Sequence, residues 1–294
     1  MQFEEIRQLM NEYHDKTSAP FGLAFYDLES GRSYAIEGER HLPCASIFKL
    51  WLLAELYRMA EAGELSLEEE WTYEEEDFRA GSGVLIHLEP GSTRLSLASF
   101  AKLMMMYSDN AATDKILKRV GLERLQRFTA EFGFADTFIG MGCDCVAAAY
   151  GTVSPEEGPF GGVSYRKMPF YGEDCPQYTS ALDLVRYFRM LEGGKLLGPA
   201  MTARALQLLE ECQTNTRIPA KLPSGTPVAH KTGTLNQVIN DAGIVTAPAG
   251  RYILAFLYNG NMASFEDYMA NGRNWRSEPM LAELSLKLFE AYNR

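Results

Sequence analysis

Apolar positions along this chain follow two periods, and their order predicts the architecture. Residues 2–13 have helical spacing, with Phe3, Ile6, Leu9 and Met10 on one face. Residues 21–26 read as a buried strand, 27–32 as a hairpin turn around Ser30 and Gly31, and 33–36 as the returning strand. From Ala45 the period becomes helical. Residues 46–62 lack Gly and Pro, and Gly63 stops them. Further helices are predicted over 97–107, 111–120, 122–132, 180–192 and 199–212, the last with proline in its first turn. Strands return at 228–232, 242–245 and 252–258, and a final helix covers 279–292. Residues 140–176 carry many Gly and Pro and little periodicity, which predicts a long functional loop.

Strands at both chain ends around a helical middle imply an α/β (α+β) fold. One antiparallel sheet of about five strands is expected, flanked by the terminal helices, with an all-helical lobe inserted. The expected division gives residues 1–40 and 215–294 to the sheet domain. Residues 41–214 form the helical domain, with the helix that begins at Ser46 at the interface.

Composition narrows the function. The chain has 294 residues, 46% hydrophobic and 23% charged, which excludes disorder as the dominant state. A net charge of −11, with no basic tract, argues against nucleic acid as a partner. The acidic run Glu68–Glu70 and Glu74–Asp77 is expected to be a solvated loop. No apolar run approaches the ~18 residues of a membrane span. The first residues have no signal-peptide pattern, so the chain as written is expected to be cytoplasmic, or exported if a leader has been removed. Cys44, Cys143, Cys145, Cys175 and Cys212 are odd in number and imply no disulfide framework. Cys143 and Cys145 are too close for a zinc knuckle and have no histidine nearby, so no metal or cofactor is expected. Each of His14, His41, His87 and His230 reads as structural. A monomer is expected.

The chemistry lies in short motifs. S-x-x-K occurs at Ser46–Lys49, Ser99–Lys102 and Ser164–Lys167. About one chance match is expected at average composition, so context decides. Ser164 sits in the Gly-rich loop, and Ser99 opens a helix too near Ser108 to face it. Ser46 opens a clean helix, which puts Lys49 on its face and free backbone N–H groups beside it. Ser108-Asp109-Asn110 follows between two helices, and Lys231-Thr232-Gly233 lies in a predicted strand. Each tripeptide arises by chance in only a few per cent of such chains.

In that order, the motifs resemble the class A-like serine β-lactamases and DD-peptidases of the penicillin-binding protein superfamily. Gly81–Leu85, the SDNAATDKIL helix, Arg217–Ala220 with Leu222-Pro223, and Asn240–Val245 extend the likeness over most of the chain. The resemblance implies Ser46 as nucleophile, Lys49 as its base, Ser108 as proton relay to a leaving nitrogen, and Lys231 as the charge beside it. It further implies Asn110 on a substrate amide, Thr232 on a substrate carboxylate with Gly233 alongside, and an oxyanion hole from the backbone N–H groups of Ser46 and Thr234. Arg217 matches an arginine that helps bind carboxylate in some relatives, the alternative being a plain surface arginine.

Two departures stand out. The E-x-x-x-N segment that supplies the deacylating glutamate in class A enzymes is missing. Glu156, Glu157, Glu173 and Asp174 are the acidic residues left as substitutes. Leu235 replaces a glycine common after the K-T-G element. The expected function is a serine hydrolase that forms an acyl-enzyme with a β-lactam or a related ester, amide or peptide-like small molecule. The alternatives are a penicillin-binding protein that acylates and releases slowly, a cytosolic esterase or amidase, and a silent binding protein on the same fold.

Overall fold

The computed structural model describes residues 2–143, 175–235, 238–260 and 277–294. The helices are α1 (Gln2–His14), α2 (Lys49–Glu61), α3 (Leu97–Met106), α4 (Asn110–Val120), α5 (Leu122–Glu131), α6 (Ala181–Glu192), α7 (Pro199–Glu210) and α8 (Ser277–Tyr292). The strands are β1 (Phe21–Asp27), β2 (Ser33–Ile36), β3 (Leu42–Pro43), β4 (Glu70–Thr72) and β5 (Arg94–Ser96). They continue with β6 (Phe138–Ile139), β7 (Gln177–Thr179), β8 (Val228–Leu235), β9 (Val238–Ala247) and β10 (Gly250–Asn259). The main sheet has five strands in the order β2-β1-β10-β9-β8, every neighbouring pair antiparallel. This is the α+β sheet that the sequence predicts.

Alternation explains why the sheet is covered on both faces. Phe21, Leu23 and Phe25 of β1, with Tyr252, Leu254 and Phe256 of β10, pack with Ile6, Met10 and Tyr13 of α1 and Leu281, Leu284 and Leu288 of α8. The intervening Ala24, Ile253, Ala255 and Leu257 face the other way, into the core of the helical layer. At the centre of that layer, α2 is buried on every side from Lys49 to Tyr57, with Leu50, Trp51, Leu52, Leu53, Ala54, Leu56 and Tyr57 in the core and Glu55 paired to Arg58 and Arg124. A helix enclosed in this way fixes its first residue, Lys49, in a dry interior.

The structure differs from the sequence reading in three places. The helix expected from Ser46 begins as a 3-10 turn, Ala45–Phe48, and becomes α-helical only at Lys49. Ala45 takes a φ of 48°, a left-handed conformation that prevents a regular helical start. Strands β3 to β7 are two or three residues long, too short for a period-2 signal. The acidic run is not wholly solvated: Asp77 is buried, bonded to Lys115 Nζ and to the Glu74 N–H. Most of the loop expected over 140–176 lies outside the described residues.

The β8–β9 pairing is close enough to exclude side chains at one position. A Cβ on Gly243 would overlap Ala229 O and come within 2.5 Å of His230 Cβ. Gly243→Ala is therefore expected to lower the unfolding free energy by about 1–3 kcal/mol, read from urea denaturation. An unchanged midpoint would contradict the packing.

Candidate active site

Ser46 lies in the 3-10 turn that leads into α2, held from both sides. Behind it, Cys44 O accepts from Ile47 N at 3.1 Å and from Asn240 Nδ2 at 3.3 Å. Asn240 Nδ2 also donates to Pro43 O at 2.8 Å, so β9 grips the turn directly. Facing it is Gly233 of β8. A Cβ there would stand 2.5 Å from Cys44 O and 3.2 Å from Ile47 N, so only glycine lets strand and turn meet. Ser108 also has a left-handed φ, 55°. Two non-glycine residues held in this region, one beside the S-x-x-K serine and one in S-D-N, mark stored strain at a site.

Two lysines converge from distant parts of the chain. Lys49 Nζ donates to Ser108 O at 2.7 Å, Ser108 Oγ at 3.1 Å and Asn110 Oδ1 at 3.0 Å. Three acceptors match the three N–H donors of an ammonium. Among the described residues these, and not Ser46 Oγ, are the partners of Lys49. Lys231 Nζ lies 3.1 Å from the same Ser108 Oγ and 2.8 Å from Thr232 O. Both lysines are fully buried. Burial lowers the pKa of Lys49, opposed by the negative charge available at Cys143, Asp109 and Asp114. Burial, and then the charge of Lys49, push Lys231 down to about 7, opposed by Cys212 and Asp241.

Asp109 organises the S-D-N turn. Its carboxylate accepts from Val84 N at 2.7 Å, Leu85 N at 2.9 Å and, as the cap of α4, from Ala112 N at 2.9 Å. The loop before it is thereby pinned over the site. Asn110 adds a bond from Nδ2 to Ala80 O at 3.0 Å. Asp114, one turn along α4, accepts from Arg79 Nε at 2.6 Å and from Cys143 N at 2.6 Å. Both carboxylates near Lys49 therefore brace backbone and loop.

Arg217 is only 1% exposed, so the surface alternative fails. It donates through Nη1 to Gly233 O at 3.1 Å and Asn240 O at 2.6 Å, through Nη2 to Thr234 Oγ1 at 2.7 Å, and through Nε to Glu278 Oε1 at 2.9 Å. Nη2 also lies 2.9 Å from Glu278 Oε1, so all five donors are directed at protein acceptors. In this geometry Arg217 orients Thr234 and the end of β8. Thr232 is buried and Thr234 exposed.

Sequence reasoning missed Asp109, Asn240 and the buried pair of His230 with Asp241. Asp109 is the middle residue of S-D-N, and Asn240-Asp241 opens a segment whose only sequence signal is its likeness to the family. Ser99 of the second S-x-x-K serves as a helix-start partner of Ser96. Cys145, Glu156, Glu157, Ser164, Lys167, Glu173 and Asp174 lie outside the described residues. Among the described residues no group of three or more His, Cys, Asp or Glu could hold a metal, and no helix is long and apolar enough to cross a membrane.

The sequence model of the beta-lactamase enzyme family matches residues 3–292. The chain belongs to that family. It is 24% identical over 250 residues to beta-lactamase VEB-1 of Pseudomonas aeruginosa, covering 82% of this chain and 77% of that one. It is 26% identical over 135 residues to an imipenem-hydrolyzing beta-lactamase of Enterobacter cloacae, covering 45% and 44%. Among solved structures, PBP-A superposes with a TM-score of 0.78 at 26% identity, over 97% of this chain and 96% of that one. TLA-1 extended-spectrum beta-lactamase superposes at 0.80 with 17% identity, over 99% of both, which speaks for the fold alone. The chain is thus a hydrolase of the β-lactamase superfamily, with penicillin-binding protein-like neighbours.

The brace at Asp109 can be tested separately from chemistry. Asp109→Ala strands three N–H groups, two of them buried, for an expected loss of about 3 kcal/mol. Hydrogen exchange at Val84, Leu85 and Ala112 should accelerate in that variant, and unaltered protection there would refute the assignment.

Proposed function

We propose that this family member is a serine hydrolase that opens a β-lactam, or a related ester or amide, through an acyl-enzyme on Ser46, and that it releases bulky acyl groups slowly. The observation that carries the reading is the convergence of Lys49 and Lys231 on one hydroxyl, Ser108 Oγ, beside the Ser46 turn. A serine hydroxyl is a weak nucleophile and needs a base within reach. Two ammonium groups this close depress each other, so above about pH 7 the pair is expected to hold one proton between them. Ser108, bonded to both, is the bridge along which that proton moves. When it passes to Lys231, Lys49 becomes a neutral amine that can take the Ser46 proton, and Lys231 becomes the cation beside the developing charge. The Ser46 oxygen then bonds to the carbonyl carbon. The oxyanion is met by the backbone N–H groups of Ser46 and Thr234, and Ser108 delivers a proton to the departing nitrogen.

Release needs a water held and deprotonated against the ester. Asp109 and Asp114 are both engaged in structural bonds. Lys49 is the remaining base among the described residues, and an amine bonded beside the ester positions water less well than a carboxylate aimed at it.

Ser46→Ala should abolish covalent labelling by a fluorescent penicillin, while Ser99→Ala should not. Labelling that survives loss of Ser46 would overturn the nucleophile. Lys231→Ala should slow acylation about a hundred- to thousand-fold, measured by stopped flow. Below about pH 7 both lysines are protonated and no base remains, so the second-order acylation rate of the parent protein should fall tenfold per pH unit there and level off above. A rate independent of pH between 5 and 8 would contradict the shared-proton scheme.

A further inference from the structure

His230 and Asp241 stand behind Lys231, on the opposite face of the sheet. Register pairs Lys231 with Ala242, whose side chain faces the helical layer, whereas His230 lies across from Gly243 and Asp241 across from Thr232 on the other face. His230 Nδ1 is 2.8 Å from Asp241 Oδ1, and its Nε2 is 3.2 Å from Asn215 Oδ1. A carboxylate oxygen and an amide oxygen only accept, so both ring nitrogens donate and the ring is an imidazolium. Asp241 uses its second oxygen to accept from Ile218 N at 3.1 Å. His230 is 1% exposed and Asp241 fully buried. A buried charge pair of this kind, on the strand that carries K-T-G, contributes little net stability by itself. Its chemistry points elsewhere.

We propose that His230 is a positioning residue, whose positive charge cancels that of Asp241 and so keeps Lys231 free to lose and regain its proton. The inference rests on the hydrolase reading for its link to turnover. Lys231 faces Ser108 in the helical layer, and the charges that act on it are Lys49, Cys212 and Arg217 from the segment after α7, and Asp241 from the other face of the sheet. Asp241 is the carboxylate among them. Without a compensating cation its negative charge would stabilise the Lys231 ammonium and hold the lysine pair doubly charged, with no base for Ser46. His230 supplies that cation. The ring faces Asp241, Asn215 and the Cys212 thiol. The neighbouring carboxylate keeps its pKa raised to about 10 against the opposing effect of burial, so the compensation persists through the neutral range. Asn215 and Ile218 tie the pair to the chain that also carries Arg217, so the same connection aligns the back of β8 and the end near Thr234.

The test compares the parent protein, His230→Gln, and His230→Gln combined with Asp241→Asn. The readout is single-turnover acylation by a chromogenic cephalosporin across pH 5–9. The single variant leaves one negative charge behind Lys231, and its acid limb should move up by about one pH unit, a tenfold loss of rate on that limb. The double variant restores neutrality, and the limb should return. A purely structural role predicts a limb at unchanged pH in both variants, with the double variant at least as impaired; that result overturns the proposal. If the cephalosporin acylates none of the three, the hydrolase reading fails instead. The same comparison is then read on the Cε resonance of Lys231, which should titrate higher in the single variant and return in the double. Should the variants not fold, the side-chain nitrogen shifts of His230 in the parent protein decide. Both nitrogens should stay protonated to pH 9, and a neutral ring at pH 7.5 refutes the charge assignment.

Discussion

The site depends on two buried lysines sharing one hydroxyl. Lys49 and Lys231 reach Ser108 Oγ from a helix and a strand separated by most of the chain, each at 3.1 Å. Bringing two cations out of water and near each other is unfavourable, and folding tolerates it only because the framework on either side is fixed. On one side is α2, buried all round, with Lys49 at its first turn. On the other is β8, an edge strand of the sheet. The same repulsion that costs stability keeps one of the two lysines close to losing a proton, as the proposed nucleophile Ser46 would need.

Much of the surrounding structure keeps that arrangement from relaxing. Asp109 gathers the amides of Val84, Leu85 and Ala112 around a turn whose serine has a left-handed backbone. Asn240 holds Pro43 O and Cys44 O, and Gly233 lets β8 close onto the same turn. Arg217 locks Gly233, Asn240 and Thr234 together from behind. These are polar groups with nearly all partners supplied by the protein. Strain at Ala45 and Ser108 can persist because several independent bonds surround each.

The sheet was legible in the sequence because its strands are apolar runs bounded by turn residues, as residues 21–26 are before the turn at Ser30 and Gly31. The site was legible because three short motifs occur in one order, and the structure brings Lys49, Ser108, Asn110 and Lys231 together as that order implies. What escaped has physical reasons. The left-handed φ of Ala45 cannot be read from alanine, a residue that ordinarily favours helix. Ladders as short as β3 and β6 leave no periodic trace. Arg217 could be read as a surface residue or as a ligand, since its role follows from three acceptors on β8 and β9 that only pairing assembles. The imidazolium of His230 depends on Asp241 and Asn215, neither of which is its neighbour in sequence.

The most direct measurement of the central interaction is the titration of the lysine side chains, followed by the Cε resonances of protein labelled with carbon-13 lysine. The account predicts that Lys231, identified by loss of its signal on substitution, titrates near pH 7, well below the ordinary range of a lysine. If Lys231 instead stays charged to pH 10, the two ammonium groups do not share a proton, and the catalytic scheme built on Ser108 is wrong.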